Sequence, residues 1–523
     1  KATMISVSPQ EHILCEVHHT HLLAKRQKAP YNQWYMISPK DIPAEVAAVA
    51  HVLESAGFEA YLVGGCVRDL VLGREPKDWD ITTNAVPEEI VALFPETYQN
   101  NNYGTVGVVT ESENPRLKVV EITPYRTESR YSDARRPDSV SFAQTLDEDL
   151  TRRDFTLNAI AYRIGKDEVV DHFEGKEDMK KRLIRAVGDP NVRFAEDALR
   201  MMRAVRIAVE LDFMIEGETM AAIALLSHNL SRISKERIRD EFFRIIESPQ
   251  PMQGIVYLEK LGMLTHVLPI LTVAIGVEQN RTHAYTVYEH LLRTMQHGAD
   301  KGWSMEIRLA GLLHDIGKPE SRRYSDDKKD WTFHGHEVIG ARLAKKALQE
   351  LKVPRETLEK VVTLVRWHMF FSDPALISLG AVRRTIRNVG EGNINDLLNL
   401  RICDRIGTGR PKEQPFRFRK YKAMVDEALR DPISVKMLKI NGVRIMEVTG
   451  EKPGPKLGDT LHALLEEVLE DPTKNTATYL EERAKSLMAR DADALRALGT
   501  AAREHKEEAE SAELKKIHKS HGV

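Results

Sequence analysis

The pattern of apolar and polar positions changes character once along this chain. Up to about residue 165, short apolar runs stand between Gly, Pro, Asn and Asp clusters, which predicts short strands mixed with short helices. In order these are a helix over Ala44–Ser55, a strand over Tyr61–Val63, a Gly64-Gly65 turn, and a helix carrying Arg68 and Asp69. A Gly73/Pro76 break and a strand bearing Asp78-Trp79-Asp80 follow. Next come a helix over Pro87–Phe94 and strands over Gly104–Thr110 and Lys118–Thr123. From about residue 177 the apolar positions recur at helical spacing nearly to the end, as in Phe194–Val209. The two periods together predict an α+β protein, with a small mixed β-sheet first and all-α segments after it.

Residues two apart on a strand point the same way, so Asp78 and Asp80 offer two carboxylates from one face, a geometry suited to a hard divalent cation such as Mg²⁺. Gly64 and Gly65 let backbone N–H groups approach an anion, and the helix after them adds a positive N-terminus. A lone D-x-D is usually a solvated turn and a lone GG only a turn. Joined in one strand–turn–helix–strand unit, they suggest phosphoryl or nucleotidyl transfer. Glu121 lies in an apolar strand, where a charge costs free energy unless partnered; it is either a third carboxylate of this site or an edge residue.

The segment Arg126–Glu148, with Arg130, Asp133, Arg135, Arg136 and Asp138, is too polar for a core and reads as a long mobile loop. Leu150–Tyr162 (LTRRDFTLNAIAY) then sets Arg152, Arg153, Asp154 and Asn158 before an apolar element. On the predicted helix over Phe194–Val209, Asp197 and Arg200 are three apart and therefore side by side, on a polar face shared with Glu196 and Arg203. An isolated surface pair of that kind contributes under about 1 kcal/mol. Ser231–Glu241 opens a basic helix with Ser234 placed as its N-cap.

A second cluster begins near residue 280. His290 and the His314-Asp315 doublet sit on apolar helices, followed by His334 and His336, His368 and Asp404. One histidine on an apolar helix is more often a core residue than a ligand. The doublet with flanking histidines and a later Asp suits a transition metal. Further on, Arg417, Arg419, Lys420 and Lys422 alternate with Phe416, Phe418 and Tyr421, which fits either a backbone-and-base contact surface or an ordinary solvated helix. The last 30 or so residues read as a charged helical or fraying tail.

Composition narrows the classes. The 523 residues allow about three to four domains. A net charge of -2 means that any nucleic-acid partner is held by local basic patches. Cys15, Cys66 and Cys403 have no paired spacing, which points away from disulfides and towards a reducing, cytoplasmic setting. No run is apolar enough for a membrane span. Residues 1–35, with His12, His18, His19 and His21 crowded near Cys15, read as a leader or extension, a metal-binding role being the alternative.

VGGCVRDLVLG with DWDITT, LTRRDFTLNAIAY, RFAEDALRMMRAVR and ISKERIRDE occur in one order over residues 58–245 and resemble the class II tRNA nucleotidyltransferases (CCA-adding enzymes) and bacterial poly(A) polymerases, of the polymerase-β superfamily. The later histidines resemble an HD phosphohydrolase domain, and the ligand set is complete. The resemblance implies a nucleotidyltransferase head over 36–165, a base-reading neck over 166–235, a body over 236–279, an HD domain over 280–410 and an RNA-binding tail over 411–523. Asp78, Asp80 and Glu121 are then the catalytic carboxylates holding Mg²⁺. Gly64, Gly65, Arg68 and Asp69 line the triphosphate side, and Arg152, Arg153, Asp154 and Asn158 the ribose and phosphate side. Asp197 and Arg200, with Arg203, read the base, and Arg417, Arg419, Lys420 and Lys422 contact RNA. His290, His314, Asp315, His336, His368 and Asp404 form the HD metal site. The expected partners are tRNA, CTP and ATP. The Tyr131–Asp138 stretch looks intact, which favours an enzyme able to add the terminal A. A-only or poly(A) addition, and HD hydrolysis as the main activity, are the alternatives.

Overall fold

Every residue of the strand Tyr61–Val63 (β1) is buried, because it runs through the middle of a seven-stranded mixed sheet. The other strands are Asp80–Thr83 (β2), Thr97–Gln99 (β3), Val106–Val109 (β4), Val119–Pro124 (β5), Ala161–Arg163 (β6) and Glu168–Val170 (β7), in the order β3-β4-β5-β2-β1-β6-β7. Only β2 and β5 run parallel; the remaining neighbours are antiparallel. This is the structure of a computed structural model, and it describes residues 36–99, 104–128, 140–281, 283–370, 377–431, 434–490 and 495. The expected leader, the Tyr131–Asp138 stretch and nearly all of the charged tail lie outside the described residues.

The helix over Ala44–Ser55 (α1) has the predicted bounds, and it buries Val46, Val49, Ala50 and Leu53 on one face. The helix after the double glycine (α2) runs Gly65–Val71. Two expectations are corrected in this part. Arg126–Glu148 is not loop throughout: Arg126–Glu128 pairs with Val140–Phe142, and Thr145 caps a helix over Leu146–Thr151 (α3) by accepting from the Glu148 N–H. A capping box and buried Leu146 and Leu150 explain why so polar a stretch is helical there. The helix predicted over Phe194–Val209 is two helices, Pro190–Glu196 (α4) and Leu199–Leu211 (α5), broken at Asp197 with extended backbone.

The described chain divides into two compact units, Lys1–Thr272 with Ala347–Val353, and Val273–Lys346 with Pro354–Val523. The second is almost wholly helical. Its centre is Val287–Asp300 (α6), which packs on Met305–Leu313 (α7) and Ile394–Gly407 (α8). A Cβ at Gly407 would lie 2.1 Å from Thr294 Oγ1, so only glycine permits this close approach of α6 and α8. Ser234 does stand at the N-cap of Lys235–Glu247, but its side chain makes no capping bond.

Candidate functional site

The carboxylates come together through strand register. In the parallel β2–β5 pair, Asp80 lies opposite Glu121 and the buried Ile81 opposite the buried Ile122, so the two acids share the other face. The strand proper starts at Asp80, two residues later than expected; Asp78 precedes it, exposed, although the Trp79 carbonyl still accepts from the Glu121 N–H at 3.0 Å. Gly64 has φ 78°, in the region that side chains rarely tolerate. A Cβ there would sit 3.9 Å from Asp80 Oδ2, and one at Gly65 4.0 Å from Asp78 Oδ1. Bare backbone thus faces both acids. Burial, then repulsion from Asp78 and Glu121, pushes the Asp80 carboxyl up to about 7, despite the opposing Arg153 and Arg203. Three carboxylates arranged to destabilise one another fit a divalent cation with oxygen ligands.

The opposite wall is cationic and internally braced. Arg68 donates from Nη1 to Asn158 Oδ1 (2.9 Å) and from Nε to Asp69 Oδ1 (3.0 Å). Asn158 donates to Asp154 Oδ1 (3.1 Å), and Arg203 donates to Asp154 Oδ2 (2.8 Å). Asp69 and Asp154 are therefore braces for arginines. Arg152 and Arg153 both meet Asp149, at 2.5 and 2.8 Å. Asp149 was not among the expected site residues, although its place three and four residues before two arginines on a helix was a legible signal.

Burial opposes the charge on Asp154, but Arg203 and the Asn158 hydrogen bond outweigh it and hold the carboxyl below its ordinary range. Asp149 is held low in the same way by Arg153 and Arg152. A lowered carboxyl pKa contributes stability that is present above the unfolded value of roughly 4 and lost as the pH falls below it. The urea midpoint of the protein is accordingly expected to drop between about pH 5 and pH 3, and to drop less in Asp154→Asn. Parallel losses in the two proteins would contradict this.

Asp197 and Arg200 are not an adjacent ion pair on one helix face, as expected. Because the backbone is extended at Asp197, its carboxylate instead pairs with Arg237 (2.7 Å). Arg200 is buried and pairs with Glu196 (2.5 Å), which also holds Arg193 (2.9 Å). The two groups remain neighbours across the break, where the Arg200 N–H donates to the Asp197 carbonyl at 3.0 Å. Arg237 was missed; it lies inside the quoted motifs, but no spacing announces its contact with Asp197, whereas Glu196 stands four residues before Arg200, a legible helical spacing.

In the second unit, six expected ligands converge. Asp315 Oδ2 is 3.2 Å from His290 Nε2 and 3.3 Å from His314 Nε2, while its Oδ1 is 3.1 Å from His336 Nε2 and 3.5 Å from His368 Nε2. Asp404 Oδ1 is 3.4 Å from His290 Nε2. His314, His336 and His368 each place Nδ1 within 2.9 Å of a backbone carbonyl. A carbonyl only accepts, so Nδ1 carries the hydrogen and each Nε2 turns its lone pair inward. Nε2 atoms of His290 and His314 meet at 3.0 Å, a contact that a shared cation resolves. This donor set fits a transition metal. His334 is exposed, beside the cluster in sequence only. Lys318, not anticipated, reaches Asp315 Oδ2 at 2.5 Å, and its charge works against burial to keep that carboxyl well below its ordinary range.

Arg417, Arg419, Lys420 and Lys422 are exposed on the helix Phe416–Ala428 (α9). The aromatics between them do not share that surface. Phe418 and Tyr421 are buried with Val425, at helical spacing on the inner face, and only Phe416 projects outward. They are core residues and cannot stack on bases.

Three family models match the chain: the poly A polymerase head domain over 60–185, the probable RNA- and SrmB-binding site of polymerase A over 212–275, and the HD domain over 287–408. The CCA-adding enzyme of Ligilactobacillus salivarius (strain UCC118) is 32% identical over 470 residues, covering 86% of this chain and 98% of the relative. The chain belongs to the CCA-adding enzyme family. The CCA-adding enzyme of Lactobacillus helveticus (strain DPC 4571) is 50% identical over 215 residues, and there the match spans 52% of that relative's length and 41% of this chain. The crystal structure of the Bacillus stearothermophilus CCA-adding enzyme in complex with CTP is 26% identical, with a TM-score of 0.63, covering 85% of this chain and 99% of that one. The CCA-adding enzyme fold accounts for the mixed sheet followed by helical segments, and nucleotidyltransferase and HD families are metal-dependent. No described helix is long and apolar enough to cross a membrane.

Proposed function

We propose that this chain is a template-independent nucleotidyltransferase that adds CCA to tRNA 3′ ends from CTP and ATP. The observation that carries the reading is the register of Asp80 against Glu121, with Asp78 beside them and the glycine turn facing the acids. Asp78, Asp80 and Glu121 hold Mg²⁺, which, when bound, neutralises the acids and polarises the attacking 3′-hydroxyl and the leaving pyrophosphate. Gly64 and Gly65 admit the triphosphate close to backbone, and Arg68, Arg152 and Arg153 offset its charge. The bacterial poly(A) and A-only activities of the same family are the alternative chemistries of this site. The reading carries with it a head, neck, body, HD and tail division and a cytoplasmic setting. The HD cluster holds a divalent transition metal and hydrolyses phosphate esters as an auxiliary activity.

Asp197 and Arg200 select the base. The Watson–Crick edges of C and A each offer an amino donor beside a ring-nitrogen acceptor, whereas G and U offer a ring N–H beside a carbonyl. An accepting carboxylate with a donating guanidinium matches the first pair only, and Arg237 and Glu196 keep both groups oriented. Asp197→Ala is expected to reduce the preference for CTP over UTP by roughly tenfold or more, a lost charged hydrogen bond being the cause; an unchanged preference sinks this assignment.

The deciding experiment supplies tRNAs ending before C74, C75 or A76 with CTP, ATP and Mg²⁺ and sequences the product 3′ ends. Completion of CCA on all three is expected. Long A tails, or addition to the last substrate alone, would replace the CCA reading by its alternatives.

A further inference from the structure

The direction of Arg152 and Arg153 is set by one carboxylate to which the reaction gives no role. We propose that Asp149 is a positioning residue for nucleotidyl transfer, which locks Arg153 over the Gly64 turn and ties it to the catalytic strand through Thr82. This rests on the nucleotidyltransferase reading above.

Asp149 is fully buried at the end of α3. Its Oδ2 accepts from Arg153 Nη2 at 2.8 Å and lies 3.3 Å from Thr82 Oγ1, whose one hydrogen it shares with the Thr123 carbonyl at 3.1 Å. Its Oδ1 accepts from Arg152 Nε at 2.9 Å. Thr82 is two residues past Asp80 in β2, hence on the same side of the strand, and is itself fully buried. The carboxylate therefore spans the strand that carries Asp80 and the two arginines of the phosphate wall.

The guanidinium is a rigid planar fork, so pinning Nη2 dictates where its other donors point. Nη1 lies 3.4 Å from the place a Cβ would occupy on Gly64, over the backbone that faces Asp80. Nε is buried and has no hydrogen-bond partner among the described residues. An unpartnered buried N–H is costly, and it marks a donor held ready for an acceptor. A triphosphate oxygen brought to this turn supplies one. Without Asp149 the long Arg153 side chain recovers its rotamer freedom, which must be lost again each time a nucleotide binds.

The test uses the full chain and the variants Asp149→Asn, Thr82→Val and Thr82→Ser, with steady-state CTP and ATP kinetics on tRNA lacking CCA, and calorimetric titration of inorganic tripolyphosphate. Asp149→Asn is expected to raise KM for both nucleotides, and to weaken tripolyphosphate binding, by roughly tenfold. The CTP-over-UTP preference stays unchanged. Thr82→Val shifts KM in the same direction by about threefold, and Thr82→Ser, which keeps the hydroxyl, restores it. Unaltered KM and tripolyphosphate affinity in Asp149→Asn, with only a lowered Tm, overturn the proposal. Should Asp149→Asn fail to fold, the Thr82→Val and Thr82→Ser pair decides by the same criterion. A wild-type chain that binds tripolyphosphate but extends no tRNA counts against the CCA reading, and the titrations still decide the role of Asp149.

Discussion

Replacing Asp80 by alanine is expected to lower nucleotide incorporation by about 10³-fold or more, because a ligand that supplies several kcal/mol of transition-state stabilisation is removed. The structural grounds are specific. Asp80 lies opposite Glu121 in the β2–β5 ladder and two residues from Asp78. Its own charge is disfavoured by burial and by those neighbours, which lift its carboxyl to about 7. A group so placed is poorly suited to bracing the fold, so Asp80→Ala should not unfold the head. Asp80→Asn, which keeps shape but loses charge, should be nearly as inactive. The comparison to make is single-turnover CMP addition at saturating CTP and Mg²⁺, alongside circular dichroism. Incorporation within tenfold of wild type by either folded variant would move the metal site elsewhere.

The second large effect lies in the helical unit. Asp315→Ala is expected to cost about 3–5 kcal/mol of stability, the usual consequence of stripping one partner from a buried ion pair. Asp315 and Lys318 are both buried, at 2% and 5% exposure, with Nζ 2.5 Å from the carboxylate. The same carboxylate faces His290 and His314 with one oxygen and His336 and His368 with the other. The variant should therefore lose bound transition metal as well as stability, whereas His334→Ala, at an exposed position, should lose neither. Urea unfolding and elemental analysis after dialysis report the two effects separately. Full metal content with an unchanged urea midpoint in Asp315→Ala would show that Asp315 neither holds the metal nor braces the core.

The glycine turn, the carboxylates and the His-Asp doublet were legible because local backbone rules tie each to a short motif. Gly64 needs a positive φ, and Asp78 stands two residues before Asp80, which opens its strand. Glu121 was legible as an anomaly, a charge in a strand of Val, Ile and Thr. Where the reading failed, burial or a break overrode periodicity. The basic and aromatic alternation after Phe416 is also a helical stripe, and Phe418, Tyr421 and Val425 follow that stripe inward. Asp197 interrupts a pattern that is apolar enough to continue, and the extended backbone at that position redirects both its own carboxylate and Arg200.

The sequence by itself therefore determined the α+β order of the elements, the family, and the two sets of acidic and histidine residues that the structure brings together. All of these rest on residue types at short spacing, where chain geometry leaves few choices. Only the tertiary structure decided which charge holds which. That Arg237 holds Asp197, that Asn158 joins Arg68 to Asp154, and that Asp149 lies against Thr82 depends on strand register and on a helix break. Long flexible side chains find partners through space, and their pairing is set by burial, which makes an unpaired charge too costly to leave.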